Sequence, residues 1–322
     1  MNDKNKIKCE IIKREFNLGS GLSAVAGVND ENLKVLAEKT KTTIKRRGDF
    51  LLIEGLDSDV FLVEECLIQF SSISKQGVPI YPDDVIRSVD YLCSNSSASL
   101  NDLFGERIEV QGQKRFVYAR TLNQSRFIQA IRSKRLVFGV GPAGTGKSYL
   151  SIAIGVARLL RREVRKIILC RPAVEAGEKL GFLPGTLEEK VDPYMRPLFD
   201  ALFDLLDSER VEEFLHKGII EIAPLAFMRG RTLSNSFVIL DEAQNTTIAQ
   251  MKMFLTRLGF GSTFVINGDP TQIDLPKNEY SGLLDALERL SDINDLSIIF
   301  FDKQDVLRDP LVAKILSAYE EK

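Results

Sequence analysis

Short apolar runs alternate with amphipathic stretches from about residue 116 to the end of the chain. The apolar runs are rich in β-branched residues and read RLVFGV, KIILC, GIIEIA, SFVILD, STFVIN and LSIIFF. Helical periodicity predicts helices between them at 147–162, 193–206, 246–258 and 280–290, with a last one near 306–321. Continuous apolar strands separated by helices are typical of a parallel sheet covered on both faces. The pattern therefore predicts an α/β domain that binds its ligand at the carboxyl ends of the strands.

The first 75 residues follow a different pattern. IKCEIIKREF alternates as a strand does, ENLKVLAEKT has helical spacing, and TTIKRR with DFLLIEG reads as a hairpin divided by Gly48. An amphipathic helix, DSDVFLVEECLIQFSSI, follows, and the stretch from Ser94 to Gln113 is polar and without period. We predict a small α+β domain over residues 1–93, a linker over 94–113 and the α/β domain over 114–322.

Composition and charge limit the kinds of ligand that the protein is expected to bind. The 322 residues are 44% hydrophobic and 27% charged, with a formal net charge of −2, so any polyanion must be bound by a local patch. Four widely spaced cysteines and a single histidine exclude a zinc module. The polar N-terminus lacks a signal-peptide pattern, and no apolar run is long enough to cross a membrane. We expect a cytoplasmic protein with no membrane partner.

The strongest chemical signal joins the first core strand to the following helix. Residues 141–148, GPAGTGKS, satisfy the phosphate-loop pattern G-x-x-x-x-G-K-[ST]. In this pattern the glycines let backbone N–H groups surround a phosphate, the lysine reaches the β- and γ-phosphates, and the hydroxyl binds Mg²⁺. We therefore predict ATP and Mg²⁺ as cofactors. The predicted nucleotide-binding residues are Gly141, Pro142, Ala143, Gly144, Thr145, Gly146, Lys147, Ser148 and Tyr149.

Two further strand ends carry polar residues. SFVILDEAQN ends in Asp241, which we predict to bind Mg²⁺ together with Ser148, and in Glu242, which we predict to activate the attacking water. An acidic pair at a helix N-terminus is the alternative. STFVINGDPTQ ends in Asp269 and Gln272; we predict that Gln272 contacts the γ-phosphate or the water, although the same residues form a turn unaided.

Two more residues are candidates on weaker signals. Gln124, in a short helix before the first core strand, is placed to read adenine, and a solvated helix start is the alternative. Arg308, before the last predicted helix, is placed to contact a γ-phosphate in its own or a neighbouring subunit. A salt bridge with Asp305 or Asp309 is its alternative. With Lys147, Asp241, Glu242 and Gln272, Arg308 completes the predicted catalytic set.

The order of these motifs resembles a known family. GPAGTGKSYL, CRPAVEAGEKLGFLPGTLEEKVDPYMRPLFDAL, FMRGRTL, FVILDEAQN and INGDPTQIDLP, over residues 110–320, are similar to the PhoH family of bacterial ATPases. The resemblance implies a RecA-like P-loop NTPase core with a parallel sheet, related to the first motor domain of superfamily-one helicases. In those helicases a glutamine before the phosphate loop reads adenine, which matches Gln124.

The resemblance also implies roles outside the phosphate loop. Arg171 corresponds to a helicase segment that lines either the nucleotide or the nucleic-acid path. Arg229 and Arg231 match the family pattern, and an arginine finger between subunits is one role it suggests. Relatives commonly carry histidine where this chain has Asp309. The family often has a KH-like N-terminal domain, although GVND at Gly27 lacks the second glycine of a GXXG loop.

These implications favour an ATPase that acts on RNA. The expected partners are ATP, single-stranded RNA and a ribonuclease, and because a second motor domain is missing we expect a homo-oligomer such as a ring. The alternative is a P-loop small-molecule kinase, which would need an arginine-rich lid. A GTP switch is disfavoured, because no N-K-x-D tetrapeptide is present.

Overall fold

The computed structural model of the chain describes residues 11–94, 98–110, 112, 116–172, 187–276, 278–307 and 312. The chain divides into two compact units, Met1–Glu106 with Tyr118–Thr121 and Arg107–Val117 with Leu122–Lys322. Within the described residues, no helix combines the length and the apolar character that crossing a bilayer requires.

The first unit has three strands and five α-helices among its described residues. A hairpin joins its second and third strands, and Gly48 takes a positive φ of 61° at the turn. In chain order the elements are β1 (Ile11–Asn17), α1 (Leu22–Ala26), α2 (Glu31–Thr40), β2 (Thr43–Arg47), β3 (Phe50–Leu56), α3 (Asp57–Lys75), α4 (Pro82–Ser94) and α5 (Leu100–Phe104).

The strands of the first unit form an antiparallel sheet in the order β1-β3-β2. Helix α3 packs against β1 and β3, where the side chains of Leu51 and Ile53 are fully buried. The buried positions of α3 recur at helical spacing, which explains why this stretch forms one amphipathic helix. They include Val60, Val63, Leu67 and Phe70.

The second unit alternates strands and helices. A separate two-stranded sheet of β4 (Arg107–Glu109) and β5 (Phe116–Tyr118) precedes its main sheet. The elements that follow are α6 (Leu122–Ser133), β6 (Leu136–Val140), α7 (Lys147–Leu160), β7 (Lys166–Arg171), α8 (Leu187–Leu205), α9 (Ser208–His216), β8 (Ile220–Pro224), β9 (Ser236–Leu240), α10 (Ile248–Leu255), β10 (Thr263–Gly268), α11 (Gly282–Leu290) and β11 (Leu296–Phe300).

The main sheet is six-stranded and parallel, in the order β11-β6-β10-β9-β7-β8. Every residue of β9 and β10 is buried, which is why these strands read as continuous apolar runs. The register aligns the strand ends: Gly268 pairs with Val140, and Leu240 pairs with Cys170. The residues that follow β6, β9 and β10 therefore lie at one edge of the sheet.

The sheet confirms the α/β prediction, and most predicted elements lie within two residues of the observed ones. The stretch predicted as a linker, 94–113, contains α5 and β4 among its described residues. Its polar run supplies the cap of α5, since Ser99 Oγ accepts a hydrogen bond from the Asn101 N–H at 3.2 Å. The pattern did not predict α4 or α9. The helix predicted near 306–321 lies almost entirely outside the described residues.

Candidate functional site

The phosphate-loop sequence connects β6 to α7, and its glycines are required by the backbone. Gly141 has φ 147°, and a Cβ there would lie 2.4 Å from the carbonyl oxygen of Phe301. Gly144 and Gly146 have φ values of 82° and 80°, in the left-handed region that favours glycine. The loop therefore turns sharply enough for α7 to begin at Lys147, with its N-terminus at the edge of the sheet.

Lys147 is almost fully buried within this loop. Its Nζ donates to the carbonyl oxygens of Gly141 and Pro142, both at 2.7 Å, and to Thr145 Oγ1 at 3.1 Å. Burial lowers the pKa of the lysine, and the negative charge of Asp269 opposes that shift. The ammonium is therefore held inside the loop by oxygens that a phosphate can replace.

Ser148 and Asp241 meet across the sheet edge. Ser148 Oγ donates to Asp241 Oδ1 at 2.5 Å, and Asp241 is 4% exposed at the end of β9. Burial raises the pKa of the Asp241 carboxyl, while the guanidinium of Arg171 and the bond from Ser148 oppose the rise. A hydroxyl and a carboxylate oxygen that lie side by side are ligands that Mg²⁺ accepts, so the chemistry of these two residues fits the predicted metal site.

Glu242 is held in a defined position beside Asp241. Its backbone has φ 53° and ψ 38°, which is uncommon for a residue with a side chain. Arg171 Nη2, at the end of β7, lies 2.8 Å from Glu242 Oε1 and 3.3 Å from Asp241 Oδ2. Gln244 Nε2 donates to the other Glu242 oxygen at 2.6 Å. Non-glycine residues in such conformations cluster at functional sites, and here two side chains hold the carboxylate in place.

The turn after β10 is bonded to both the phosphate loop and the Glu242 segment. Asp269 Oδ2 accepts from the Ala143 N–H at 2.9 Å and from Gln272 Nε2 at 3.0 Å. Gln244 is fully buried; its Oε1 accepts from the Asp269 N–H at 3.0 Å, and its Nε2 donates to the Gln272 carbonyl at 3.1 Å. The three strand ends thus form one hydrogen-bonded network. Gln244 was not among the residues predicted from the sequence, although it lies only two residues after Glu242.

A cavity of about 270 Å³ lies above these strand ends. Helix α8 closes one side of it with Pro197 and Leu198. Most of the site residues predicted from the sequence line this cavity. Those that line it are Ala143, Gly144, Gly146, Lys147, Ser148, Tyr149, Asp241, Glu242, Asp269 and Gln272, together with Arg171.

Comparison with known proteins places the chain in a family. The family described as PhoH-like protein matches residues 116–320. A PhoH-like protein of Bacillus subtilis (strain 168) is 47% identical over 295 residues, 92% of each chain. The chain belongs to the PhoH family. A PhoH-like protein of Synechocystis is 43% identical over 92% of this chain and 90% of that one, and Protein PhoH of Escherichia coli (strain K12) is 48% identical over 63% and 58%.

A solved structure gives a much weaker likeness to this PhoH-family chain. The Sulfolobus solfataricus SWI2/SNF2 ATPase core in complex with dsDNA matches with a TM-score of 0.29 and 14% identity, over 46% of this chain and 31% of that chain. A similarity at that level is too weak to support an inference about fold or activity.

The remaining predicted residues of this PhoH-family chain lie around the cavity or outside the described residues. Gln124 is buried on α6, and its Nε2 donates to the Thr145 carbonyl at 3.0 Å, so it contacts the phosphate loop itself; its adenine role stays a prediction. Tyr149 donates to Asp204 of α8 at 2.7 Å. Arg308 lies outside the described residues.

The segment after β11 also touches the phosphate loop, which sequence analysis did not anticipate. The Leu307 N–H donates to the Gly144 carbonyl at 2.9 Å, and the Phe301 N–H donates to the Val140 carbonyl at 2.7 Å. The ammonium of Lys147 lies 5.8 Å from the centre of the Phe301 ring. The last described stretch of the chain therefore forms one wall of the loop.

Proposed function

We propose that this PhoH-family protein binds ATP with Mg²⁺ and hydrolyses it in a RecA-like core. The observation that carries the proposal is the convergence of Lys147, the Ser148–Asp241 pair and Glu242 at one edge of the parallel sheet, around a single cavity. Each group has the chemistry that phosphoryl transfer to water requires: a cation for phosphate, oxygens for Mg²⁺ and a carboxylate for the attacking water.

The phosphate loop and Lys147 bind the phosphates of the nucleotide. The N-terminus of α7 presents backbone N–H groups and favourable partial charge to an anion. Lys147 exchanges the carbonyl oxygens of Gly141 and Pro142 for oxygens of the β- and γ-phosphates. Because the lysine is already buried in the loop, this exchange needs little movement of its side chain.

Ser148 and Asp241 would hold the metal, which would neutralise charge on the phosphate oxygens. Glu242 accepts the proton of the attacking water, since it lines the cavity next to Asp241 and is fixed by Arg171 and Gln244. Gln272, which also lines the cavity, orients the same water or the γ-phosphate.

We assign two further contacts to the nucleotide on sequence grounds. Gln124 reads the adenine, and its bond to the Thr145 carbonyl ties that recognition to the phosphate loop. Arg308 contacts the γ-phosphate; it follows directly after Leu307, whose N–H is bonded to the loop.

The test is phosphate release from ATP with Mg²⁺. Glu242→Gln should retain nucleotide binding and lose about 10²-fold or more in kcat, the scale of lost general-base help, whereas Lys147→Ala should lose binding itself. Glu209→Gln makes the same chemical change at an exposed position of α9 and serves as the matched control. Equal loss of binding in the Glu242 and Lys147 variants would contradict the separate roles.

We further propose that hydrolysis is coupled to single-stranded RNA through a KH-like first unit. The unit has the order strand, helix, helix, strand, strand, helix, and a short turn at Gly27–Asp30 joins α1 to α2, as a GXXG loop would. Val28 in this turn is 78% exposed, and Lys45 and Arg47 on β2 are exposed. These features support contact with a nucleic-acid backbone.

Single-stranded RNA should raise the ATPase rate of the wild-type protein. The combined substitution Lys45→Ala with Arg47→Ala should abolish that stimulation and leave the basal rate unchanged, and Lys252→Ala on α10 is the control for loss of an exposed lysine. An ATPase rate that does not change with RNA would contradict the coupling and would favour a protein partner, such as the ribonuclease that the family resemblance suggests.

The alternative function, a small-molecule kinase, would need an arginine-rich lid over the site. Arg231 does not form such a lid in the described geometry, because it pairs with Glu221 and does not line the cavity.

A further inference from the structure

We infer that Arg120 is a positioning residue through which the candidate nucleotide site and the first unit influence each other. A bound nucleotide stabilises the part of the first unit that holds Arg120, and loss of that hold weakens nucleotide binding. The inference rests on the proposed nucleotide site and adds a route of regulation to it. The route is residues 118–121, the connector, which are counted with the first unit and lead at Thr121 directly into α6.

The connector is fixed within the first unit by contacts of its own. The Tyr118 hydroxyl donates to the Gly77 carbonyl at 2.9 Å. Ala119 is fully buried, and its N–H donates to the Glu106 carbonyl at 3.0 Å. Buried backbone groups are costly to leave without a partner, so the connector opens only when such bonds break. Its position therefore follows the part of the first unit that surrounds it.

Arg120 anchors the connector through its side chain. Its Nη1 donates to Asp84 Oδ2 at 2.6 Å and to the Pro79 carbonyl at 3.0 Å, and its guanidinium lies 5.0 Å from the centre of the Tyr81 ring. Asp84 is 1% exposed, and Arg87 donates to its other carboxylate oxygen at 3.0 Å. A buried carboxylate is strongly destabilised when it loses a cationic partner, so Asp84 holds Arg120 in place.

The first turn of α6, immediately after the connector, is bonded to the candidate nucleotide site. Gln124 is 2% exposed and donates to the Thr145 carbonyl of the phosphate loop at 3.0 Å. Asn123 donates to Asp305 at 2.8 Å, and Leu307, two residues after Asp305, donates its N–H to the same loop at 2.9 Å. This turn therefore contacts both the phosphate loop and the wall beside it.

The connector and the first turn of α6 are too close along the chain to open independently. Gln124 follows Arg120 by four residues, which span at most about 14 Å. A nucleotide that contacts Gln124 and the phosphate loop adds contacts to this turn and lowers the frequency with which it opens locally. The connector then opens less often as well. Because such coupling is reciprocal, release of Arg120 from Asp84 weakens nucleotide binding in turn.

The first experiment measures hydrogen exchange of the full chain with and without ADP and Mg²⁺. In the wild type, ADP should slow exchange in the phosphate loop and also, by about 5-fold or more, in residues 77–84, which hold the connector. In Arg120→Ala the slowing should persist in the phosphate loop and be largely lost in residues 77–84. Arg87→Ala is the matched control, because it removes the other arginine from Asp84 without touching the connector, and it should keep the slowing in both regions.

The second experiment measures the reciprocal effect on nucleotide affinity. Arg120→Ala should raise the Kd for ADP about 5-fold or more, and the KM for ATP should rise while kcat changes little, because the groups that react are untouched. Arg87→Ala should bind ADP as the wild type does. Arg120→Lys should recover part of the affinity, since lysine keeps the charge beside Asp84 but loses the planar contact with Tyr81. Arg120→Lys is also the deciding variant where Arg120→Ala fails to fold.

Two results overturn the inference and leave the proposed nucleotide site intact. The first is a wild type in which ADP slows exchange in the phosphate loop but not in residues 77–84. The second is identical behaviour of the Arg120 and Arg87 variants in both experiments, since a purely structural role at Asp84 predicts that they match. Failure of the wild type to bind ADP at all is a different result, because it overturns the proposed function together with the coupling.

Discussion

Replacement of Gln244 by methionine tests whether the three strand ends act as one network. Methionine keeps the length and flexibility of glutamine but can neither donate nor accept the three hydrogen bonds that Gln244 makes to Glu242, Gln272 and the Asp269 N–H. The backbone N–H of Asp269 is the costliest loss, since it is buried and its only described acceptor is Gln244 Oε1. The other two partners retain some access to water.

The expected loss of stability follows from the three hydrogen-bond partners that Gln244→Met leaves behind. A buried donor left without an acceptor costs about 1–3 kcal/mol, and each of the two partly exposed contacts contributes about 0.5–1 kcal/mol, so the variant should lose roughly 2–5 kcal/mol of unfolding free energy. For a unit of this size each kcal/mol lowers Tm by about 2–4 °C, which gives a fall of roughly 4–20 °C. The kcat for ATP should fall as well, because Glu242 and Gln272 lose their shared support.

Two measurements check the predicted loss of stability in Gln244→Met. The chain has no tryptophan, so thermal unfolding is best followed by far-UV circular dichroism, with Gln129→Met on the exposed side of α6 as the matched control. Hydrogen exchange of peptides that contain Asp269 reports the local effect and does not require the two units to unfold together. A Gln244→Met protein that melts with the control and keeps slow exchange at Asp269 would refute the network.

Two further predictions concern groups outside the cavity. Burial raises the pKa of Cys66 to about 12 and raises that of Cys170 as well, so a thiol reagent should label no more than two of the four cysteines in the native protein and all four in urea. The hydrogen bond from Arg231 lowers the pKa of Glu221, so this pair stabilises the fold above the ordinary glutamate pKa and is lost as the pH falls through the lowered value. Glu221→Gln should therefore melt below the wild type at pH 7, by the equivalent of about 1 kcal/mol. The difference should shrink steadily as the pH falls below the ordinary glutamate pKa; a difference that stays constant through acid titration would contradict the assignment.

The sequence was most informative where one physical cause dominates. Strands buried on both faces, such as β9 and β10, have a continuous apolar centre that marks them in the sequence, and the phosphate loop needs glycine at positions that few other structures require. Helix α4 was missed although Pro82 and two aspartates mark its start, because its buried positions are divided by charged residues.

Contacts between distant segments could not be derived in the same way. Gln244 gains its importance only when β9 and β10 are adjacent, and nothing in its own neighbourhood signals that pairing. Arg229 and Arg231 are equivalent in the sequence RGR. They differ only because Glu221, ten residues earlier on β8, engages one of them. Such distinctions depend on strand order, which local patterns do not specify.

The strand order also constrains when the candidate site can be completed during synthesis of the chain. Strand β6, which leads into the phosphate loop, lies between β10 and β11, the last two strands in chain order among the described residues. About 160 residues separate Val140 from the end of β11, and a ribosome adding 5–20 residues per second needs about 8–32 s to cover them. Throughout that interval β6 lacks both neighbours or one of them, and the wall formed by residues 301–307 is missing. A nascent chain therefore carries the whole GPAGTGKS sequence long before the segments that surround it at the candidate site have been made.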